Sequence, residues 1–587
     1  MQKSEYIIET AYKKYLIPMV VSSVSPNLCA SIDKAIVGNM LGENALAAVG
    51  LVMPVTVLIS VLSLLFSLGG SNICTLHNSR GESRETNHTF TVSIVYTLIV
   101  TAVIAAAGLM FLNPFVRLLG ADELLFESTR GYTQVMLMGL PVVTVSMSMD
   151  YFLRVDGSPN MIVAGMLVAN ITNIILDVLF IRAGMGVAGA ALASVMGYTL
   201  TLVLYALYFF SKRCSLRFIW EGGKSLAVIR AAVYGGMSSV IQFAGWLISI
   251  VIINKRLSAI GGPMSLSVYA VVLSIMIFTA STFNGVINAM TPVVGTFYGD
   301  RDYPSLRMAL KRGIGIAYLF GTVMALLYWI MLETLIHLFG VTDPATLQES
   351  VNALRLVAFG IFFQIIVGVL SSYYQATEKP GTASIISFTR AGVLQPLLPL
   401  FLTTFLGVNG VYASLVLLEV GGLLAAFVGV YLYRRKNPQA SRFLLLEPVE
   451  DGREFKYSLK NDMKEIPDAM GAALAFCREN QVDEKRSYTI GLAIEEMSRN
   501  IIEHGLSKEK KAHYIDIRVK LNGDQIILRI RDDGTLFDPT TADVEKDALE
   551  TLQNGERLHL GLRLVSGMAK KMEYTRVLGF NNTVVYT

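Results

Sequence analysis

The chain has 587 residues, of which 53% are hydrophobic and 16% are charged, whereas soluble domains average about 25% charged residues. This composition excludes an ordinary soluble protein and indicates a membrane protein. The net charge of +4 gives no reason to expect a nucleic-acid partner, and the four cysteines have no paired spacing that would predict a disulfide or a metal site.

Apolar runs of about 20 residues, the length that crosses a bilayer, follow one another through the first three quarters of the chain. Twelve such runs begin near residues 15, 45, 89, 130, 160, 186, 228, 265, 313, 352, 383 and 410. The first run is too long for a cleaved signal peptide, so it stays as a membrane helix. We therefore predict an all-α polytopic membrane protein with 12 transmembrane helices in two six-helix lobes, followed by a C-terminal α/β sandwich domain.

An internal repeat divides the membrane part into two halves. The segment MGVAGAALAS at 185–194 is echoed by LGVNGVYAS at 406–414, and Pro159 by Pro380, at one offset of 221 residues. The predicted boundaries are a cytoplasmic N-terminal segment at 1–14, an N-lobe at 15–211, an inter-lobe loop at 212–227, a C-lobe at 228–433, a linker at 434–447 and the C-terminal domain at 448–587.

Lysine and arginine are distributed unevenly between the predicted loops. An even number of helices puts both termini on one side, and the loops and tails of that side hold nineteen Lys and Arg against six on the other side. Because inner loops carry the excess of basic residues, we expect the chain in the cell (inner) membrane, with both termini and the C-terminal domain in the cytoplasm.

The fifth run, ANITNIILDVLF at 169–180, contains a carboxylate, although a charge near the centre of a membrane helix costs at least about 2.5 kcal/mol. At the repeat offset, Asn173 corresponds to Leu394 and Asp177 to Leu398. The carboxylate is therefore not a structural device of the repeat. This favours a functional role and places the predicted site in the N-terminal lobe.

Asp33, in the first run, is expected at the same depth as Asp177. At 1.5 Å per residue, Asp33 lies about 27 Å along its helix and Asp177 about 26 Å along its own. Two carboxylates, with Asn173 one turn from Asp177, would supply hard oxygen ligands for Na⁺ or hold a proton. The alternative is that each aspartate lies at the outer interface and is simply hydrated.

Two further residues of the membrane runs stand out. Pro18 removes one backbone hydrogen bond from the inner half of the first helix, which permits a bend that can gate transport. A static kink is the alternative for Pro18, since membrane helices tolerate proline. Arg390 lies within two turns of the inner interface, where its side chain can snorkel to water.

The stretches SIDKAIVGNMLGENALAAVGLVMPV, LRVDGSPNMIVAGMLVANITNIILD and GMGVAGAALAS closely resemble the multidrug and toxic compound extrusion (MATE) transporters, over residues 15 to 433. The resemblance implies two lobes that alternate access, and efflux of small organic substrates, cationic or amphipathic, coupled to Na⁺ or H⁺. It assigns gating to Pro18 and cation coupling to Asp33, Asn173 and Asp177. Lys34 is a departure, since many relatives have a small residue there.

After residue 438 the composition changes to that of a cytosolic domain. In YIDIRVKLNGDQIILRIRDDG at 514–534, alternating apolar residues, then Asn522-Gly523, then a second apolar run predict a β-hairpin. Before it, 484 to 504 reads as a helix with Glu496 and Asn500 four residues apart on one side. Taken alone, this pair indicates only a solvated helix face.

The motifs IEEMSRNIIEHG, RDDGTLFDP, LHLGLRLVSGMAKKM and NNTVVYT resemble, in order, those of the GHKL ATPase fold, and most closely those of anti-sigma-factor serine kinases. The resemblance implies ATP and Mg²⁺ as cofactors, an anti-sigma-antagonist-like protein partner, and dimerisation through this domain. The roles that it assigns are general base for Glu496, Mg²⁺ ligand for Asn500, adenine recognition for Asp532 and Gly534, phosphate contact for Gly561, and a position behind adenine for Thr583. Two glycines of the family pattern, which let a backbone approach a phosphate closely, are replaced here by Leu536 and His559.

Two classes of function follow. The first is a cation-coupled efflux antiporter with a regulatory ATP-binding domain, with or without serine-kinase activity. The second is a transporter-like membrane sensor that signals by phosphorylating a partner protein. Lipid or glycan flipping is disfavoured, since the sequence shows no long charged groove. ATP is not expected to power transport, because the chain has one nucleotide domain and no Walker A loop: GGKSL at 222–226 lacks the glycine that the motif requires at Phe218.

Overall fold

The computed structural model describes residues 3–121, 123–211, 214–221, 225–338, 344–447, 453–505, 514–522, 525–535, 538–540 and 560–587. Helices account for nearly all of the described chain up to residue 436, and a domain of strands and helices follows. The membrane part and the C-terminal domain each have a hydrophobic core of their own.

The N-terminal lobe contains helices α1 to α8. Pro18 and Pro26 lie inside α1, which is helical throughout its 39 residues. A proline in the first turn, where its missing N–H leaves no bond unmade, helps to start α3 and α7. The bounds are α1 Lys3–Leu41, α2 Glu43–Leu51, α3 Met53–Arg80, α4 Ser83–Met110, α5 Leu112–Leu118, α6 Phe126–Val155, α7 Pro159–Arg182 and α8 Gly186–Phe209.

The C-terminal lobe contains helices α9 to α15. A non-helical residue, Gly262 with φ 64°, separates two membrane-length segments within α9, and glycine adopts this backbone conformation without strain. α11 and α12 are bent by 44° relative to each other. The bounds are α9 Ser225–Gly299, α10 Tyr303–Leu338, α11 Pro344–Ala358, α12 Gly360–Ala376, α13 Pro380–Ser387, a π-helical turn Phe388–Leu394, α14 Gln395–Leu406 and α15 Asn409–Lys436.

The number of membrane-length helices agrees with the sequence. Within the described residues, 11 helices are long and apolar enough to cross a membrane, or 12 if the bent pair α11 and α12 forms one span. The predicted architecture of two helical lobes followed by an α/β domain is confirmed.

The C-terminal domain is a five-stranded antiparallel sheet in the order β1-β2-β3-β5-β4, with helices on one face. The predicted hairpin is the β2–β3 pair, in which Asn522 lies opposite Gln525. Ile490 and Ile494 of α17 pack with Ile517 and Leu528 of the sheet in the core of this domain. The bounds are β1 Glu454–Lys460, a 3₁₀ turn Met463–Glu465, α16 Ile466–Glu479, α17 Glu484–Asn500, a π-helical turn Ile501–Gly505, β2 Tyr514–Asn522, β3 Gln525–Asp532, α18 Leu560–Met568, β4 Lys571–Val577 and β5 Phe580–Tyr586.

The segment that connects the two parts is packed against the C-terminal lobe. Tyr373 and Tyr374 of α12 donate hydrogen bonds to the backbone carbonyls of Leu444 (2.8 Å) and Phe443 (3.0 Å). Leu445 is fully buried. Residues 437–447 therefore pack as part of the surface of the C-terminal lobe.

Candidate functional site

The first candidate site is the pair of carboxylates inside the N-terminal lobe. α1 carries Asp33 and α7 carries Asp177, and the two carboxyl groups lie close enough for the charge of one to act on the other. The helix-rise argument predicted this meeting, and the structure shows it. Asp177 is fully buried, both of its carboxylate oxygens lack a hydrogen-bond partner among the described residues, and so does one oxygen of Asp33.

The side chains around the carboxylate pair are polar. Asn173, one turn from Asp177 on α7, donates through Nδ2 to Ser194 Oγ (3.0 Å), while its Oδ1 accepts from the thiol of Cys29 (3.4 Å). The ring of Tyr132 is buried near both carboxyl groups. Buried carboxylate oxygens without protein donors, next to an amide oxygen, are a donor set that suits Na⁺ or a shared proton.

The ammonium group of Lys34 is not part of this polar cluster. Its side chain is exposed, although it is near enough to Asp33 for its charge to act on that carboxylate. Neighbouring residues on a helix point about 100° apart, which accounts for the separation.

A third carboxylate in this lobe was missed by the sequence analysis. Asp150 on α6 accepts a hydrogen bond from the hydroxyl of Tyr205 (2.6 Å), and the charge of Arg154, one turn along the helix, acts on it. The four-residue spacing of Asp150 and Arg154 inside an apolar run was the available signal. Because Asp150 has a donor, the unpartnered buried carboxylate oxygens in the described part of the N-lobe belong to Asp33 and Asp177.

The other intramembrane charge, Arg390, does not snorkel as the sequence analysis allowed. It lies in the π-helical turn and forms a bidentate pair with Glu419 of α15, at 2.7 Å through Nε and 2.5 Å through Nη2. Glu419 is 4% exposed. Each charge of the pair neutralises the other, so neither is buried alone, and the pair is a structural link between the π-helical turn and α15.

We expect Glu419→Gln to destabilise the protein by about 3 to 5 kcal/mol, because the substitution leaves the Arg390 guanidinium buried without its carboxylate. Thermal unfolding in detergent measures the loss. The double variant Arg390→Met with Glu419→Leu is the control, since replacing both charges by apolar groups should restore most of the stability. Equal melting of Glu419→Gln and the parent protein would contradict a structural role for the pair.

The second candidate site lies at the end of α17 in the C-terminal domain. Glu496 accepts a bond from Nη1 of Arg499 (3.3 Å), and Asn500 is the last residue of the helix. The amide nitrogen of Asn500 is buried and has no hydrogen-bond partner among the described residues. A buried amide without a protein partner fits a residue that meets a ligand.

The residues predicted to recognise adenine come together at the end of β3. Asp532 is buried and accepts hydrogen bonds from Asn581 Nδ2 (2.8 Å) and from the backbone of Gly534 (2.9 Å). Burial raises the pKa of Asp532 to about 6. A Cβ at Gly534 would lie 2.7 Å from the carbonyl oxygen of Gly505, so this turn packs directly against the end of the α17 segment.

The remaining predicted nucleotide residues lie on β5 and α18. Thr583 is buried in β5, opposite Ile530 of β3, and Gly561 is the second residue of α18, which packs on α17. The structure thus brings the turn after Asp532 against the end of the helical segment that contains Asn500. Leu536 and His559, the two departures from the family pattern, lie outside the described residues.

The largest feature that the sequence analysis missed is the contact between the two parts of the chain. Asp300 and Asp302, in the loop between α9 and α10, face arginines on the helix-free side of the sheet. Burial alone would raise the pKa of Asp302. The positive charges of Arg518 and Lys456 oppose this effect and help to hold the pKa of Asp302 well below its usual range.

The two helical lobes, one of which contains the carboxylate pair, define a polytopic transporter. The fused domain, which holds the residues predicted to bind nucleotide, is an ATPase domain. The sequence profile of the MatE family matches residues 18–179 and 236–400, more than half of the chain. The chain therefore belongs to the MATE family. Residues 459–586 match the profile of the histidine kinase-like ATPase domain, an ATP-binding fold.

Individual relatives agree with this assignment. The multidrug export protein MepA of Staphylococcus haemolyticus is 22% identical over 440 residues, which cover 74% of this chain and 95% of that protein. MepA of Staphylococcus saprophyticus is 22% identical over 432 residues, which cover 72% and 93%. A solved outward-facing multidrug resistance MATE transporter has a TM-score of 0.67 and 23% identity, covering 74% of this chain and 98% of that one, and so shares its fold.

Proposed function

We propose that this protein is a cation-coupled antiporter that expels small organic molecules, cationic or amphipathic, by alternating access of its two lobes. The observation that carries the proposal is the pair Asp33 and Asp177 in the N-terminal lobe. Asp177 is buried and Asp33 is partly buried, and both have buried carboxylate oxygens with no donor among the described residues. An intramembrane acid of this kind is expensive and marks an ion pathway. The name of the MepA relatives, multidrug export protein, supports the same class of substrate.

The coupling step follows from the chemistry of the pair. Two adjacent carboxylates in a low dielectric favour either a bound Na⁺ or a proton that neutralises one of them. Binding from one side and release to the other then ties the ion to the rearrangement of α1 and α7, which carry the two acids. Pro18 lies on the same helix as Asp33 and is the proposed hinge for this movement.

The proposal is tested by substrate flux in reconstituted vesicles under an imposed gradient of Na⁺ at constant pH, and separately under a pH gradient without Na⁺. Accelerated efflux under one of these gradients identifies the coupling ion. No acceleration under either gradient would contradict cation coupling.

We infer an inner-membrane location with a cytoplasmic C-terminal domain. The domain contacts the loop after α3, the loop after α6 and the loop after α9, through residues that include Arg80 and Asp156. The sequence predicts all three loops as inner, because they belong to the side with the excess of lysine and arginine. The contact and the charge bias therefore support one orientation.

The role proposed for the C-terminal domain is regulation by nucleotide. Asn500 would hold Mg²⁺, Glu496 would act as general base in any phosphoryl transfer to a partner protein, and Asp532 with Gly534 would recognise adenine. A contact joins this site to the membrane part: the hydroxyl of Tyr6 on α1 donates to Asp533 (2.6 Å), next to Asp532. Nucleotide binding can therefore bias the lobes through differential contacts.

We expect the full-length protein in detergent to bind Mg²⁺-ATP and Asn500→Ala to weaken that binding by at least tenfold, because the amide is the proposed metal ligand. Isothermal calorimetry measures the affinity. Asn480→Ala is the matched control, since Asn480 is an amide at the end of the neighbouring helix α16, away from the site. Unchanged affinity in Asn500→Ala would remove Asn500 from the site.

A further inference from the structure

The hairpin that joins β4 to β5 is buried in the membrane part rather than in its own domain. At its tip, Val577, Leu578 and Phe580 are 2%, 3% and 4% exposed. These three side chains belong to the hydrophobic cluster of the two lobes, whereas the core of the C-terminal domain is a separate cluster. The β4–β5 tip of the C-terminal domain is therefore an apolar segment that packs into the core of the membrane part.

The turn at this tip is unusual for its sequence. Val577 pairs with Phe580, so Leu578 and Gly579 form a two-residue hairpin turn, and both have positive φ (56° and 81°). Asn and Gly are favoured at such positions, because a branched side chain is strained there. The strain of leucine in this conformation must be offset by the packing of its buried side chain.

Leu578 points into the seam between the lobes. It lines a small cavity together with residues of both lobes, namely Thr75 and Asn78 of α3, Val155 of α6, and Pro292 and Thr296 of α9. Hydrogen bonds from Thr575 Oγ1 to the carbonyl of Asn78 (3.0 Å) and from Asn78 Nδ2 to the carbonyl of Arg576 (3.4 Å) fasten the hairpin beside it.

Ion pairs hold the sheet across both lobes. On the C-terminal lobe, Arg529 meets Asp300 at 2.6 Å and Arg518 meets Asp302 at 2.6 Å. On the N-terminal lobe, Arg576 lies 3.6 Å from Asp156. The three arginines are on the C-terminal domain and the acids are in loops at one end of the helices.

Beside the tip, the two lobes are in direct contact. A Cβ on Gly299 of α9 would lie 1.8 Å from the hydroxyl of Ser79 on α3, and a Cβ on Gly295 would lie 3.0 Å from Thr75. An opening of the lobes at this end must separate α3 from α9. Leu578 lies between these two helices, and the arginine contacts tie them to one sheet.

We propose that the C-terminal domain has a mechanical function apart from any nucleotide chemistry: its β4–β5 tip is a plug that holds this end of the transporter closed, and the lobes open here only after the plug leaves its seat. The idea rests on the proposed alternating access of the lobes and specifies how the domain regulates it. The contact of Tyr6 with Asp533 gives nucleotide a route to the same docked state.

Ser71 is a suitable reporter for opening. It is buried on α3, one turn beyond Thr75 on the face that meets α9, and two turns deeper than Ser79. Ser71→Cys is a small change, and the rate at which a water-soluble maleimide modifies it in nanodiscs measures how often the seam opens. The native cysteines give the background, measured in the protein that lacks the added cysteine.

In the Ser71→Cys protein we expect Leu578→Asp to raise the modification rate by at least tenfold. Leu564→Asp is the matched control, because Leu564 is an exposed leucine on α18 of the same domain, and it should change the rate by less than twofold. Asp300→Lys should also raise the rate, and adding Arg529→Glu should restore protection, which a general loss of folding would not do. A rate in Leu578→Asp and in Asp300→Lys equal to that of the parent overturns the proposal.

This readout requires no substrate and no coupling cation. If Ser71→Cys becomes reactive as expected while Asp177→Asn still transports, the coupling proposal fails and the plug stands. If Ser71→Cys stays protected while Asp177→Asn abolishes transport, the plug fails and the antiporter proposal stands.

Discussion

Asp177→Asn is expected to abolish gradient-driven efflux, with flux reduced at least a hundredfold, while the protein still inserts into the membrane. The amide keeps the shape of the side chain but cannot carry the charge that binds Na⁺ or the proton that moves with H⁺. Asp33→Asn is expected to have the same effect, because the two carboxyl groups lie together and would act as one site. Flux of a fluorescent organic cation in vesicles, under the gradient that drives the parent protein, measures the loss.

The control for this experiment lies on the same helix. Asn170 donates one hydrogen bond to Ser25 (2.8 Å) and, two turns before Asp177, has no contact with the carboxylate pair in the described structure. Asn170→Ala removes a polar contact between α7 and α1 without changing a charge, and it should keep most of the flux. Undiminished flux in both Asp177→Asn and Asp33→Asn would show that these acids do not couple the ion.

The carboxylate pair was predictable from the sequence because it depends on helix geometry alone. The entry points of two helices and a fixed rise of 1.5 Å per residue are enough to bring Asp33 and Asp177 to one depth. The apolar counterpart of Asp177 in the second half, Leu398, identified Asp177 as a feature of one lobe. What could not be predicted was the partner of Asp150, Tyr205 on α8, because contacts between helices depend on how each helix is rotated about its axis.

The docking of the C-terminal domain illustrates the same limit. In the hairpin, Arg518 of β2 lies directly opposite Arg529 of β3. Like charges directly opposite one another destabilise a sheet, so this register already predicts that acids from elsewhere neutralise the pair. The sequence does not say which acids, because Asp300 and Asp302 are more than two hundred residues away and no local pattern links them to the sheet.

The burial of the β4–β5 tip between the lobes was even harder to predict from the sequence. Val577 and Phe580 are apolar residues at the ends of two ordinary strands, and in an isolated domain they would count as core residues. Only the packing of the hairpin against α3 and α9 shows that these side chains belong to the lobes. The informative local sign was a leucine before glycine in a two-residue turn, where asparagine is usual.

Truncation after Glu447 is expected to leave gradient-driven efflux intact and to remove its response to ATP completely. The lobes should fold without the domain, because the MepA relative of Staphylococcus haemolyticus aligns over 95% of its own length with 74% of this chain. Ending at Glu447 keeps the buried segment around Leu445 on the C-terminal lobe, which an earlier end would remove. Vesicle flux, with and without ATP on the side of the domain, compares the truncated and full-length proteins.

The expected result follows from the proposed energy source of transport, which is an ion gradient and not ATP hydrolysis. A pump driven by ATP must couple hydrolysis to the movement of both lobes, whereas this chain has one nucleotide domain and a pair of intramembrane carboxylates that can draw on an ion gradient. In the proposed regulatory role, the domain would supply differential contacts, which shift an equilibrium by about 1 to 3 kcal/mol and modulate transport rather than power it. Full-length Asn500→Ala is the control, since it should lose the response to ATP with the domain still attached. If the truncated protein inserts but moves no substrate, and ATP drives the full chain without a gradient, then the domain is the motor and its regulatory assignment is wrong.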